Sequence, residues 1–149
     1  MGLFDWFREY FTEDENSQAE TITEEVLLSG LNLKQALDAH AAWKERLQKV
    51  LDGVSTEQFD VVVTSKDNLC VLGKWIYGKG KHLYSHLPEY EALRMAHAGF
   101  HQCAGEVLAE HCDGNIVEAT NLLNTKFRNA SNKNRLELVR LFSEVKRLT

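Results

Sequence analysis

Apolar residues recur at helical spacing through most of the chain. Leu33, Leu37, His40, Leu47 and Leu51 fall on one face, with Trp43 at its border and Lys44, Glu45 and Arg46 outside it. Asn32 with Gln35 three residues on predicts the start of this helix, and Gly53 its stop. Val61, Val62 and Val63 are β-branched, but no second strand offers a partner, so Val54 to Thr64 reads as a loop or irregular helical turn. A second helix is expected through Asn68, Cys70, Gly73, Trp75 and Tyr77, with Thr64, Ser65 and Asp67 as candidate caps and Gly78 and Gly80 at its end. Pro88 suits the first turn of a third helix and Gly114 its end, with Leu93, His97, Phe100, His101, Ala104 and Leu108 facing inward. A fourth runs from about Ile116 to Leu148, and the polar stretch Asn129 to Asn134 is its expected kink or break. Four such stretches predict an all-α four-helix bundle.

The N-terminus has a different pattern. Leu3, Phe4, Trp6, Phe7, Tyr10 and Phe11 line one stripe of a short amphipathic helix, opposite Asp5, Arg8 and Glu9. Its polar side is not basic, and Trp6 stands where a myristoylation signal wants Ser or Thr, so docking onto a protein partner through Leu3, Phe4, Trp6 and Phe7 is the better reading than a membrane. Thr12 to Thr23 is polar and acidic, as a solvated linker is. The organisation expected is therefore residues 1–23 as segment and linker, and 24–149 as the bundle.

Composition narrows the class. At 149 residues, 44% hydrophobic and 26% charged, the chain is long enough for one domain with a real core, and a single proline suits helices. A net charge of -5 without a dominant basic cluster argues against nucleic acid. No apolar run approaches the roughly 20 residues of a membrane span, and no secretion signal opens the chain, so the expected location is the cytoplasm. Three cysteines make no disulfide framework, which turns attention to thiolate or metal chemistry.

His97 and His101 stand four apart on a helix and can point at one ion. Packed core histidines give the same spacing, and Ala98 stands where a zinc protease would carry its general base, so the pair needs partners. His40 supplies one from an apolar helix face, where a hydrogen-bonded core histidine is the competing reading. Cys70 supplies another. Gly73, one turn further on, invites a close approach to the backbone and is expected to leave room beside the sulfur. One thiol and three imidazoles on inner faces form a tetrahedral set, and Cys with His is the ligand chemistry of Zn²⁺. Carboxylate-bridged di-iron is disfavoured because the chain has no Glu-x-x-His pair. Cys103 lies about 200° round the helix from His101 and cannot join the set. His82 and His86 are expected in an exposed loop, and His111 and Cys112 stand near a helix end without a partner pattern.

Three blocks carry a resemblance: Leu37-Asp38-Ala39-His40-Ala41-Ala42-Trp43-Lys44, Cys70-Val71-Leu72-Gly73-Lys74-Trp75-Ile76-Tyr77-Gly78 and His97-Ala98-Gly99-Phe100-His101. In order and pattern (HxxWK, CxxGxWxxG, HxxFH) they resemble the chemoreceptor zinc-binding (CZB) domains of bacteria, over roughly residues 30 to 145. The resemblance implies a four-helix bundle, usually dimeric, with one Zn²⁺ per protomer held by His40, Cys70, His97 and His101. Trp43, Gly73, Trp75 and Phe100, also in these blocks, are the expected supports of the site. Such domains are regulatory modules of chemotaxis receptors and diguanylate cyclases, understood as sensors of zinc or of oxidants such as hypochlorous acid acting at the zinc-bound cysteine. This chain carries neither a receptor coiled coil nor a cyclase domain, which leaves its output open.

Three functions are thus in play: a cytoplasmic zinc or redox sensor in signal transduction with Cys70 as its switch, a zinc-stapled dimerisation or adaptor module, and a zinc hydrolase. The last is weakest, since four protein ligands leave no open position and no general base stands beside them; a non-enzymatic role is expected.

Overall fold

The computed structural model describes residues 27–149; the aromatic segment and linker expected over 1–23 lie outside the described residues. The chain opens with a hairpin of two short antiparallel strands, β1 (Leu27–Leu28) and β2 (Leu31–Asn32). Ser29 (φ 48°) and Gly30 (φ 86°) form its two-residue turn, both in the left-handed region such a turn demands. The hairpin is not among the elements the hydrophobic pattern predicts; its one local signal is the Ser-Gly pair between leucines.

Helix α1 (Leu33–Leu51) begins as expected: the Asn32 side chain accepts from the Gln35 amide at 3.0 Å. Gly53 follows its end at φ 73°. Part of the irregular stretch after it is a single ordered turn, α2 (Val61–Ser65), capped by the Asp60 carboxylate on the Val63 amide at 2.9 Å. Its position is set by α5 (Pro88–Cys112), where a Cβ on Gly105 would stand 1.8 Å from Ser65 Oγ, so only glycine admits this helix so closely.

The second helix differs from expectation at both ends. Thr64, Ser65 and Asp67 do not cap it; Cys70 does, and α3 (Val71–Trp75) follows it directly. A widened π turn over Ile76–Gly80, broken at Gly78 (φ -105°, ψ -106°), then passes into α4 (Lys81–Tyr84), so the glycines bend the segment rather than end it. His82 consequently lies in a short helix, though it and His86 are exposed as expected. The segment is pinned at its middle. Trp75 Nε1 donates to Ser29 O (3.1 Å), Tyr90 Oη donates to Ile76 O (2.5 Å), and a Cβ on Gly80 would strike the Trp75 ring.

Helix α5 runs from Pro88 to Cys112, with Gly114 beyond it at φ 80°, as predicted. The fourth stretch is α6 (Ile116–Leu122), a π turn over Leu123–Phe127 and α7 (Arg128–Leu148). Its irregularity therefore falls before Asn129 to Asn134, which continue the helix. Buried Leu123 and Phe127 anchor the widened turn and so override the polar run.

These helices pack as an all-α bundle, and none of the described ones is long and apolar enough to cross a membrane. The core is divided in two. One cluster gathers Leu28, Leu33, Leu37, Leu72, Ile76, Leu93, Leu138, Leu141 and Phe142; the other gathers Leu47, Phe100, Ala104, Leu108, Ala119, Leu123 and Phe127. On α1 the division falls between Leu37 and Leu47, and on α5 between Leu93 and Phe100.

Candidate metal centre

His40 and His97 stand where α1 and α5 cross from one apolar cluster to the other, with His101 one turn beyond His97. Cys70 joins them from the start of α3. All four were picked from the sequence, and one ligand atom of each lies within 4.8 Å of the others. His40 is 6%, His97 0% and His101 3% exposed, so their polar atoms have lost water and need partners.

Two of the imidazoles are oriented by backbone carbonyls. His40 Nδ1 donates to Ala36 O at 2.7 Å, and His101 Nδ1 donates to Thr64 O at 3.0 Å. Each bond puts the proton on Nδ1 and leaves the Nε2 lone pair facing inward, which is how protein fixes a histidine as a metal ligand. His40 Nε2 lies 3.2 Å from His97 Nε2 and 3.8 Å from Cys70 Sγ, and His97 Nε2 lies 3.3 Å from the same sulfur. A tetrahedral Zn²⁺ with bonds of about 2.05 Å to nitrogen and 2.3 Å to sulfur has edges of about 3.3 Å (N to N) and 3.6 Å (N to S). The three edges among His40, His97 and Cys70 match an ion of that size, and His101 lies within 4.8 Å of the other ligands. His101 Nε2 supports the same conclusion, being a buried lone pair with no hydrogen-bond partner.

The electrostatics point the same way. Burial holds His97 down to about 2 and His40 down to about 4, with the neighbouring imidazoles adding to both shifts and the Ala36 bond offsetting that of His40. His101 is lowered by burial too, against the Thr64 bond and Asp67. All three are neutral near pH 7, the form that donates a lone pair. Burial pushes the Cys70 thiol up, only partly offset by the Gly73 and Leu72 amides, of which Gly73 N donates to Sγ at 3.3 Å. A cation in the centre would favour the thiolate instead.

The expected supports are distributed unevenly. Phe100, fully buried, sets its ring 5.0 Å from that of His40 and 5.3 Å from that of His101, closing the site toward the second cluster. The Trp43 ring lies 6.3 Å from His101 and 5.5 Å from Phe59, under the Arg46 guanidinium. Trp75 is engaged elsewhere, its indole donating to Ser29 O and its ring packed against Tyr84. At Gly73 the close approach is made by the Asp67 carbonyl oxygen, 1.9 Å from where a Cβ would be. That corrects the expectation of room beside the sulfur: backbone fills the space, and the contact holds the segment that carries Cys70. Cys103 lies on the flank of the second cluster and Cys112 is exposed.

Thr64, by sequence only a candidate cap, orients the His101 ring through its carbonyl. A main-chain acceptor leaves no residue signature. Among the described residues no carboxylate enters the cluster, and that of Asp67, whose charge acts on both Cys70 and His101, is engaged by the Tyr77 hydroxyl.

Residues 40–108 match the family model of the chemoreceptor zinc-binding domain, bearing out the resemblance of the three motif blocks and spanning all four members of the cluster. No curated protein and no solved structure matches the chain.

Proposed function

We propose that this chain is a zinc-binding regulatory module of the chemoreceptor type, in which His40, Cys70, His97 and His101 hold one Zn²⁺ per protomer. The observation that carries it is the convergence of three neutral imidazoles and one thiol, two of the imidazoles already locked by backbone carbonyls with Nε2 inward. Bound zinc supplies the positive charge that keeps Cys70 as a thiolate in a buried site.

The switching role belongs to Cys70. Hypochlorous acid takes the thiolate to sulfenic acid with release of chloride (S⁻ + HOCl → SOH + Cl⁻), which removes a charged ligand and frees the start of α3. Zinc availability acts on the same residues by filling or emptying the site. Either change reaches a signalling partner, docked through Leu3, Phe4, Trp6 and Phe7, by altering how α3 packs in a homodimer. A purely structural zinc staple is the alternative, and oxidant response separates the two. Hydrolysis is disfavoured by a set of four ligands with no carboxylate among the described residues in the cluster.

Elemental analysis of the purified chain tests the reading. The expected result is about one zinc per protomer, near zero in His40→Ala and His101→Ala and undiminished in Cys103→Ala. Equal zinc in all of these would overturn it.

A further inference from the structure

The plane that divides the core is a polar layer, and the fourth helical stretch crosses it too. Phe127 belongs to one apolar cluster and Leu138 to the other, and the buried polar residues between them on α7 are Asn134 and Glu137. Among the described residues the buried polar side chains are His40, Thr64, His97, His101, Asn134 and Glu137. The histidines are the proposed ligands, and Thr64 serves His101. Glu137 is paired with Lys133 (3.3 Å) and Arg140 (3.1 Å). That leaves Asn134, 1% exposed, whose side-chain oxygen is buried without a hydrogen-bond partner.

One donor in the same layer is equally unmatched. Zinc on His97 Nε2 requires the proton on Nδ1, and His97 Nδ1 is buried and has no partner, unlike its counterparts in His40 and His101. Helices α5 and α7 run antiparallel against each other, with Ala92, Met95, Ala96 and Gly99 of one facing Ala130 and Lys133 of the other. Glu89 of α5 faces Leu136, Val139, Arg140 and Ser143 of α7. That register puts Asn134 level with the turn of α5 that carries His97. A buried acceptor and a buried donor, both orphaned, are each costly if they stay apart, which is reason for a sequence to keep them together or not at all.

Resting on the zinc reading above, we propose that Asn134 is the positioning residue for His97: its side-chain oxygen accepts the Nδ1 proton in the zinc-loaded protein, directly or through one buried water. It would do for His97 what the Ala36 and Thr64 carbonyls do for His40 and His101. Such partners are worth about 10- to 100-fold in metal affinity.

The test is zinc affinity by chelator competition in the full chain, with long-range ¹H–¹⁵N spectra of the histidine rings. Asn134→Leu, similar in size but without the acceptor, is expected to bind zinc at least tenfold more weakly, whereas Asn134→Asp keeps wild-type affinity or better. In zinc-loaded wild type, His97 should show a protonated Nδ1 whose proton exchanges slowly with water and shifts in Asn134→Asp. Equal affinity in the Leu variant, or a His97 Nδ1 proton indifferent to Asn134→Asp, overturns the proposal. Should the Leu variant not fold, the wild-type and Asp spectra decide alone. Absence of zinc from wild type would sink the zinc reading; unaltered zinc in Asn134→Leu sinks only this one.

Discussion

The ring of His101 and the carbonyl of Thr64, 3.0 Å apart, join a ligand of the candidate site to a helix of a single turn. That turn has little reason to form alone, since five residues are far below the length at which a helix is stable in water. It is held by its docking on Gly105, and in return gives the one carbonyl that keeps His101 in its metal-binding tautomer. The site is thus oriented from outside the three motifs as well as within them.

Gly73 is the most restrictive position near the site. A methyl group there meets the Asp67 backbone oxygen at 1.9 Å, which no rotamer change can relieve. Gly73→Ala is expected to cost about 1–3 kcal/mol of stability and to lower zinc affinity at least tenfold by displacing the segment that ends in Cys70. Urea melts and chelator competition check this; a variant equal to wild type in both would show that the 67–70 backbone moves freely.

Protons should compete with folding in the metal-free chain. His40 titrates near 4 and His97 near 2 when folded, against an ordinary 6.5, so the unfolded chain binds more protons in the interval. Their contribution is complete above pH 6.5 and is lost as pH falls toward the folded values. For His40 alone the loss between pH 7 and pH 4 is on the order of 3 kcal/mol. Melts of chelator-treated protein across this range should fall steeply below pH 6.5; a flat profile would mean that the imidazoles are not buried.

The three cysteines should respond to oxidant in an order set by zinc. In loaded protein, brief sub-stoichiometric hypochlorous acid with dimedone trapping is expected to mark Cys70 first. In stripped protein burial keeps Cys70 a thiol, and exposed Cys112 takes its place. Mass spectrometry reads the order. Modification of Cys103 or Cys112 ahead of Cys70 in the loaded chain would leave zinc level or plain structure as the better account.

A homodimer is expected from the family resemblance, and Met95 (62% exposed), Val117 (87%) and Leu136 (45%) are apolar side chains available for it. Light scattering at micromolar concentration should return about twice the 17.0 kDa chain mass. A clean monomer would remove the dimer as the signalling unit.

Much of this was legible because the signals are local. The Asn32 cap, Pro88, Gly53 and Gly114 mark helix ends by local chemistry and backbone preference within a turn, and the inward rows of α1 and α5 put His40, His97 and His101 on facing sides of the bundle. What escaped depends on partners distant in sequence. The bend at Gly78 answers to Trp75 packed against Gly80, the turn over Leu123–Phe127 to two buried apolar anchors, and the Thr64 carbonyl to a histidine 37 residues away. Asn134 looked like a helix breaker because polar runs usually are; buried, it is a layer residue.

The divided core bears on how the molecule melts. Among the described residues each apolar cluster gathers its own leucines and aromatics, with buried polar side chains between them. The two halves are coupled by helices α1 and α5, which run through both, and by the polar plane between them. If an ion clamps helices α1, α3 and α5 across it, denaturant melts of zinc-loaded protein should be sharper than those of chelator-treated protein, in which the two halves are coupled only by the helices that run through both. On the regulatory reading proposed above, a signal that empties the site would then be expressed as a change in how firmly the two halves are coupled.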